Sequence, residues 1–302
     1  MQLTPVQQET LDLLRGDANQ RPVVDAGLRT ALQAELDLAT ENIEGRLTID
    51  KYRLNKVHQC EGLYSAIDVF EWRPATARGV IAHKAIELSV GGVKRTTPHK
   101  LVDMACERIC ESPENPSLAD YLRQIDDGER AELRSEASNL IIGFMEMFPP
   151  LQPHWIPHAE ATTAAITGRK RIVCRGKIDL KLGQLDGARS NTVIIDMKTG
   201  NPAFSHLDDL RFYGLLETLR TGMPPFQWAN VYLSSGKIEI ERCSEAILWT
   251  SLRRLIDGIH KIARLELDNK EPHLTPGVGC RFCPAQPTCE QAHIYEDSLS
   301  QF

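Results

Sequence analysis

Apolar residues recur at helical spacing through the first 45 positions: Leu11, Leu13 and Leu14, then Leu28, Leu32, Leu36 and Leu38. Their polar neighbours predict an N-terminal helical extension over 1–45. Thr48 then reads as the N-cap of a helix running through Tyr52, Leu54 and Val57 towards Cys60. Gly79 to Val90, after the loop EWRPATARG, predicts another helix. So do residues 99–111 and 117–147, the last ending at Pro149-Pro150. Beyond 150 the period changes. Residues 158–167 and 169–182 suit an antiparallel pair of strands joined at Gly168. Residues 192–198, TVIIDMK, form a short β-branched apolar run that reads as a central strand. An amphipathic helix over 207–220, strands over 227–234 and 237–242, and a long helix over 245–267 follow. The stretch 272–289 is rich in Pro, Gly and Cys. From 130 to 234 the order is helix, three strands, helix, strand, an α/β arrangement. The chain divides into an N-terminal extension (1–45), a helical region (46–150), a mixed core (151–270) and a cysteine-rich tail (271–302).

Composition changes this picture little. Of 302 residues, 42% are hydrophobic and 25% charged, the balance of a globular protein with a sizeable core. No apolar run is long enough to cross a membrane, and the start lacks the pattern of a secretory signal, so a cytoplasmic location is expected. The net charge of −6 argues against a surface coated in positive charge, but a local basic groove remains compatible with it. The eight cysteines do change the picture. Three of them, Cys280, Cys283 and Cys289, crowd into the tail. In a reducing compartment such a cluster reads as metal binding before disulfides.

Two aspartates interrupt or end apolar strands: Asp179 in GKID and Asp196 in IIDMK. On adjacent antiparallel strands both carboxylates reach one edge of a sheet. Lys198, two positions after Asp196, shares its face. Two hard oxygen ligands and an ammonium suit phosphodiester hydrolysis with Mg²⁺ or Mn²⁺. An Asp-X-Lys in a strand is also a common solvated ion pair. The apolar residues before Asp196 are what set this one apart, because charge at the end of a buried strand is costly without a partner.

With these motifs in order, the sequence resembles the RecB-like branch of the PD-(D/E)XK nucleases over roughly residues 45–290. GVIAHKAIE is similar to the helix whose histidine reaches the metal, here His83. GKIDLKL is similar to the segment carrying the first aspartate, Asp179. IIDMKTG is similar to the family's D-Y-K-T-G stretch and supplies Asp196 and Lys198. The resemblance implies a restriction-endonuclease-like core of order αβββαβ, with a mixed central sheet flanked by helices. It also implies catalysis by Asp179, Asp196 and Lys198, and a metal held by His83, Asp179, Asp196 and the Met197 carbonyl. Asp209 departs from the pattern, standing where the family usually places a glutamine four positions before a tyrosine, here Tyr213. Glu87, one turn after His83, Glu160 on the preceding strand, Asp209 and Tyr213 are accessory candidates, each also readable as a solvated charge or a core residue.

Cys280-X2-Cys283-X5-Cys289 offers three thiolates in a loop broken by Pro284 and Pro287, and needs a fourth ligand. Spacing alone leaves open a zinc site completed by His273 or Cys60 and an iron–sulfur cluster. The resemblance extends to AddB-type and CRISPR-associated RecB-like exonucleases, which hold a [4Fe–4S] cluster with one cysteine before the nuclease core and three after it. It therefore implies Cys60, Cys280, Cys283 and Cys289 as ligands. Cys106, Cys110, Cys174 and Cys243 read as small buried hydrophobes.

Basic residues gather near the acidic site. Arg169, Lys170, Arg171, Arg175 and Lys177 precede Asp179, Arg211 and Arg220 follow it, and Arg253, Arg254, Lys261 and Arg264 lie on the late helix. They are candidates to track phosphates, or solvated surface. Trp72, Trp155, Phe204 and Trp228 are candidates to stack bases, or core. No base-reading motif and no Walker A loop is present, so a motor would have to be another chain. The resemblance implies an exonuclease on single-stranded DNA, working with a separate helicase or with other repair or defence proteins. Two other classes remain: a non-catalytic DNA-binding scaffold with a vestigial site, favoured by Asp209, and a redox sensor using the cluster.

Overall fold

The computed structural model describes residues 2–17, 21, 25, 27–68, 70–92, 96–184, 190–203 and 205–299, and Phe204 lies outside them. Six strands form one mixed sheet: β1 (Leu47–Ile49), β2 (His158–Thr167), β3 (Ile172–Leu182), β4 (Val193–Lys198), β5 (Gln227–Tyr232) and β6 (Lys237–Arg242). β2 runs antiparallel along nearly the whole of β3, from Thr167 opposite Ile172 to His158 opposite Lys181. A strand has two edges, so β1 and β4 must share the other one. β1 pairs in parallel with Ile172–Cys174, and β4 pairs antiparallel with Leu180–Leu182. Between those pairings the edge of β3 forks, and Asp179 lies at the crotch. β4 then pairs in parallel with β5, and β5 antiparallel with β6.

Helices cover both faces. α1 (Pro5–Arg15), α5 (Pro74–Val90), α6 (Pro98–Glu111), α7 (Pro116–Gln124) and α8 (Asp127–Met147) supply one core, which meets Leu180, Val193, Ile195, Met197, Ala229 and Val231. α2 (Leu28–Thr40), α3 (Lys51–Gln59), α9 (Ser205–Thr221) and α10 (Glu245–Glu266) supply the other, against Ile172, Cys174, Ile178, Ile194 and Trp228. The period-2 alternation of β4 feeds both: Val193, Ile195 and Met197 point one way and Ile194 the other. α4 (Glu61–Ser65) and α11 (Glu290–Leu299) flank the cysteine-rich tail.

Several boundaries differ from those the sequence pattern predicts. Thr48 is in β1, and Asp50 is the N-cap that opens α3, its carboxylate accepting from Arg53 N at 2.9 Å. α5 begins five residues before Gly79, because Pro74 sits at its first turn, where a missing N–H costs nothing. The expected single helix over 117–147 is two. Ile125 is extended, and Asp126 caps α8 by accepting from Glu129 N at 2.8 Å. The strand expected over 227–234 ends at Tyr232. α11 falls in a region where no helix was predicted. Among the described residues, no helix is long and apolar enough to cross a membrane.

Candidate active site and cysteine cavity

The acidic site fills the fork in β3. Ile172, Cys174 and Ile178 belong to one core and Leu180 to the other, although all four have the same parity. The strand therefore changes faces at Asp179. Directly across on β2, Glu160 has a left-handed backbone (φ 51°), a conformation that costs a non-glycine residue about 1–3 kcal/mol. Together these distortions aim Asp179 and Glu160 at His83, which α5 presents from the other layer. His83 Nδ1 lies 3.4 Å from Asp179 Oδ1 and 3.9 Å from Glu160 Oε1. Ligand atoms of His83, Glu160 and Asp179 lie within 4.8 Å of one another, and no other trio of His, Cys, Asp or Glu among the described residues does so. Glu87 instead pairs with Lys84 at 2.6 Å.

β4 places the second carboxylate beside the first. Met197 N donates to Asp179 Oδ2 at 2.6 Å, locking the two strands at the site. Asp196 is 1% exposed. Its Oδ2 lies 2.5 Å from Lys198 Nζ, a close ion pair. A buried carboxylate next to a His/Glu/Asp trio fits a divalent cation that prefers oxygen ligands. Asp209 is not a solvated helix charge. It is buried on α9, accepts from Lys198 Nζ at 3.1 Å and from Asn55 Nδ2 at 2.7 Å, and so fixes the lysine from behind. Lys51, which the sequence pattern did not single out, opens α3 and reaches Asp196 Oδ1 at 3.3 Å. Its ammonium lies 5.1 Å from the centre of the Tyr213 ring. Tyr213 in turn occupies the space beside Gly176, where a Cβ would fall 2.4 Å from the ring.

The electrostatics separate the two aspartates. Burial pushes Asp179 up, but His83, Lys51 and the Met197 N–H outweigh it and hold the carboxyl below its ordinary value. Burial and the neighbouring Asp179 charge push Asp196 up, against Lys51 and Lys198. Burial would depress His83, yet Asp179 and Glu160 raise it to about 9. Burial likewise opposes the charge on Lys51, but Asp196, Tyr213 and Asp209 hold it protonated well above the ordinary range.

The four cysteines Cys60, Cys280, Cys283 and Cys289 line one cavity of about 200 Å³, together with Leu63, Leu274 and Ala292. Thr275 N donates to Cys60 Sγ, and Gly277 N to Cys280 Sγ, both at 3.3 Å. A second unpredicted contact fastens the tail. Glu61, 4% exposed, pairs with Arg264 and accepts from His273 N at 2.7 Å. His273 does not line the cavity. Cys174 and Cys243 are buried, and burial pushes each thiol up to about 12. Cys106 and Cys110 pack against the first core.

Much of the expected basic surface is already engaged. Arg211 grips Glu241 (2.9 and 2.6 Å) and Arg220 grips Glu217 (2.9 and 2.8 Å). Lys177 pairs with Glu160, Arg254 with Asp208, and Lys261 with Asp257. Arg169 and Lys170 form the β2–β3 turn with left-handed φ. Trp228 is fully buried, its Nε1 donating to Glu241 at 2.9 Å, so it cannot stack a base. Trp72 donates to Ser117 at 3.1 Å, and Trp155 packs edge-on to His154.

Solved structures similar to the chain include the following two. A crystal structure named "Putative exonuclease" from Eubacterium rectale covers 88% of this chain and 92% of its own at 12% identity, with a TM-score of 0.50, a likeness of fold. The crystal structure of SSO0001 covers 87% and 95% at 13% identity, with a TM-score of 0.35. No curated protein matches the sequence. The pattern defining the PD-(D/E)XK nuclease superfamily matches residues 51–290, which spans every candidate site residue named above, and this chain belongs to that superfamily.

Proposed function

We propose that the protein is a metal-dependent deoxyribonuclease, an exonuclease on single-stranded DNA, with a structural [4Fe–4S] cluster. The observation that carries the nuclease reading is the convergence of Asp179, Asp196 and Lys198 in the fork of β3, beside His83 and Glu160. His83, Asp179, Asp196 and the Met197 carbonyl would hold Mg²⁺ or Mn²⁺, and Glu160 joins them by its position. When bound, the ion supplies an acidified water and neutralises charge on the phosphate. Asp179 keeps its negative charge because His83 and Lys51 favour it. Lys198, steadied by Asp209, orients the attacking water and meets the charge that builds on the phosphate oxygens. A buried Asp209 holding the catalytic lysine supports an active site over a vestigial one. The exonucleolytic mode, the single-stranded substrate and a separate helicase partner rest on the family resemblance.

Cys60, Cys280, Cys283 and Cys289 would hold the cluster. No three of these sulfurs come within 4.8 Å of one another. Tetrahedral zinc, at a Zn–S distance of about 2.3 Å, would need sulfurs roughly 3.8 Å apart. The cavity that all four thiols share and the backbone N–H donors to sulfur support a thiolate-bound centre. The test is anaerobic purification, iron and sulfide analysis, and incubation with 5′- and 3′-labelled single-stranded DNA plus Mg²⁺ or Mn²⁺, comparing wild type with Lys198→Ala. Metal-dependent degradation lost in the variant supports the reading, and the label pattern gives the polarity. A folded, brown, inactive wild type would return the protein to the scaffold class.

A further inference from the structure

Lys51 completes the charge pairing of the site from its solvent side. Asp209 already receives Lys198 at 3.1 Å and Asn55 at 2.7 Å. Asp196 already has Lys198 at 2.5 Å. Lys51 adds a second ammonium, 3.3 Å from Asp196 and 3.7 Å from Asp209. Its accessibility sets it apart from the groups around it. The Lys51 side chain is 34% exposed, against 14% for Lys198, 7% for Asp209 and 2% for Asp196. Of the two lysines on these carboxylates, Lys51 is therefore the one that a phosphate can approach from solvent.

The surroundings fix this lysine in place. It is the first residue of α3, directly after the Asp50 cap and the end of β1, so the fork in the sheet determines where its backbone sits. The Tyr213 ring faces its ammonium from one side. Asn55, one turn later on α3, bonds Asp209 and accepts from Arg254 at 3.0 Å, which ties the carboxylate opposite Lys51 to α10. Lys198 is turned inward between two carboxylates, whereas Lys51 spans the same two from the solvent side.

We infer that Lys51 is a second substrate-binding lysine, whose ammonium contacts a non-bridging oxygen of the nucleic-acid phosphodiester while Lys198 faces the reacting phosphorus. Asp209 is then a positioning residue for both lysines. This rests on the nuclease reading. It also gives the aspartate at the family's glutamine position a physical reason: a neutral amide there would balance one lysine fewer.

The test uses the full-length protein with Ca²⁺ in place of Mg²⁺ or Mn²⁺, so that binding is read without cleavage. Fluorescence anisotropy of a labelled oligothymidylate is followed across a salt series for wild type, Lys51→Met and Lys51→Arg, with kcat and KM measured separately in Mg²⁺. The Met variant should bind about tenfold more weakly. Its salt dependence should lose roughly 0.7 from the slope, one phosphate contact on a single strand. KM should rise more than kcat falls, and arginine should restore most of the affinity. Should the Met variant not fold, Lys51→Gln carries the same readouts. An unchanged affinity and slope with a lowered Tm would make Lys51 a structural counter-ion and overturn the inference while leaving the nuclease reading intact. A wild type that neither binds nor cuts single-stranded DNA would take both down together.

Discussion

The acidic site and the cysteine cavity are built in opposite ways. The first stands on sheet register. Asp179 and Asp196 are fixed by β3–β4 pairing and by the Met197 N–H, and Lys198 follows from period 2. The second stands on loops. Three of its four thiols belong to a tail held by short 3-10 turns, by Glu61 and by a few contacts to α4. A site on rigid strands can lose a functional group without losing its frame. A site made of loops is its own frame. Substitutions should therefore separate: those in the fork strike activity and spare the fold, and those in the cavity strike the fold of the tail first.

The sharpest challenge to that contrast is Cys283→Ser. If the four thiols hold the proposed cluster, losing this cross-link between Cys60 and the tail should cost on the order of 5 kcal/mol, by analogy with covalent staples. The expected result is loss of bound iron, a lowered Tm and rapid proteolysis between residues 270 and 290, with residual cleavage by the surviving core. A Cys283→Ser protein with wild-type stability would erase the contrast from one side. Lys198→Ala challenges it from the other. Cleavage should fall about 10²–10³-fold, the usual effect of removing one preorganised group that stabilises the transition state. Circular dichroism and Tm should be near wild type, and a variant that unfolds would show the fork to be as self-supporting as the cavity. Glu61→Ala is a smaller probe. It strands the partly exposed Arg264 and the His273 N–H, at about 2 kcal/mol, and chemical denaturation should register it with iron content preserved. Smallest is Trp228→Phe, which removes the hydrogen bond to Glu241 while keeping a ring in the core. About 1 kcal/mol of stability should go, with DNA affinity unchanged. A large affinity loss there would return Trp228 to the substrate surface.

The same contrast explains what the sequence made legible. The succession of elements in the αβββαβ core and the Asp179, Asp196 and Lys198 constellation were readable because period-2 patterns and short motifs are local. Lys51 and Asn55 were not, because they reach the site only through the meeting of β1 with β3, a pairing the local sequence does not announce. Glu160 looked weak since nothing in its neighbours signals a left-handed backbone in mid-strand. Asp209 read as a departure from the family and as a surface charge, and its burial depends on a helix packed from elsewhere. The break between α7 and α8 did carry a signal, Asp126 followed three positions later by Glu129, which the apolar rhythm on either side masked. Arg211, Arg220 and Arg254 looked like a phosphate track because charge is visible in sequence and its partner is not.

The pairing of β1 with β3 also sets a timetable for the growing chain. Leu47 finds its partner at Ile172, about 125 residues later. At roughly 5–20 residues per second, β1 and the start of α3 wait on the order of ten seconds for their place in the sheet. Cys60 waits longer still, for a tail that Thr275 joins 215 positions downstream. The first end of α3 thus waits for residue 172, and the other end for residue 275. A product that stops short of residue 275 holds every residue of the fork but lacks the partner of Cys60 at the far end of α3.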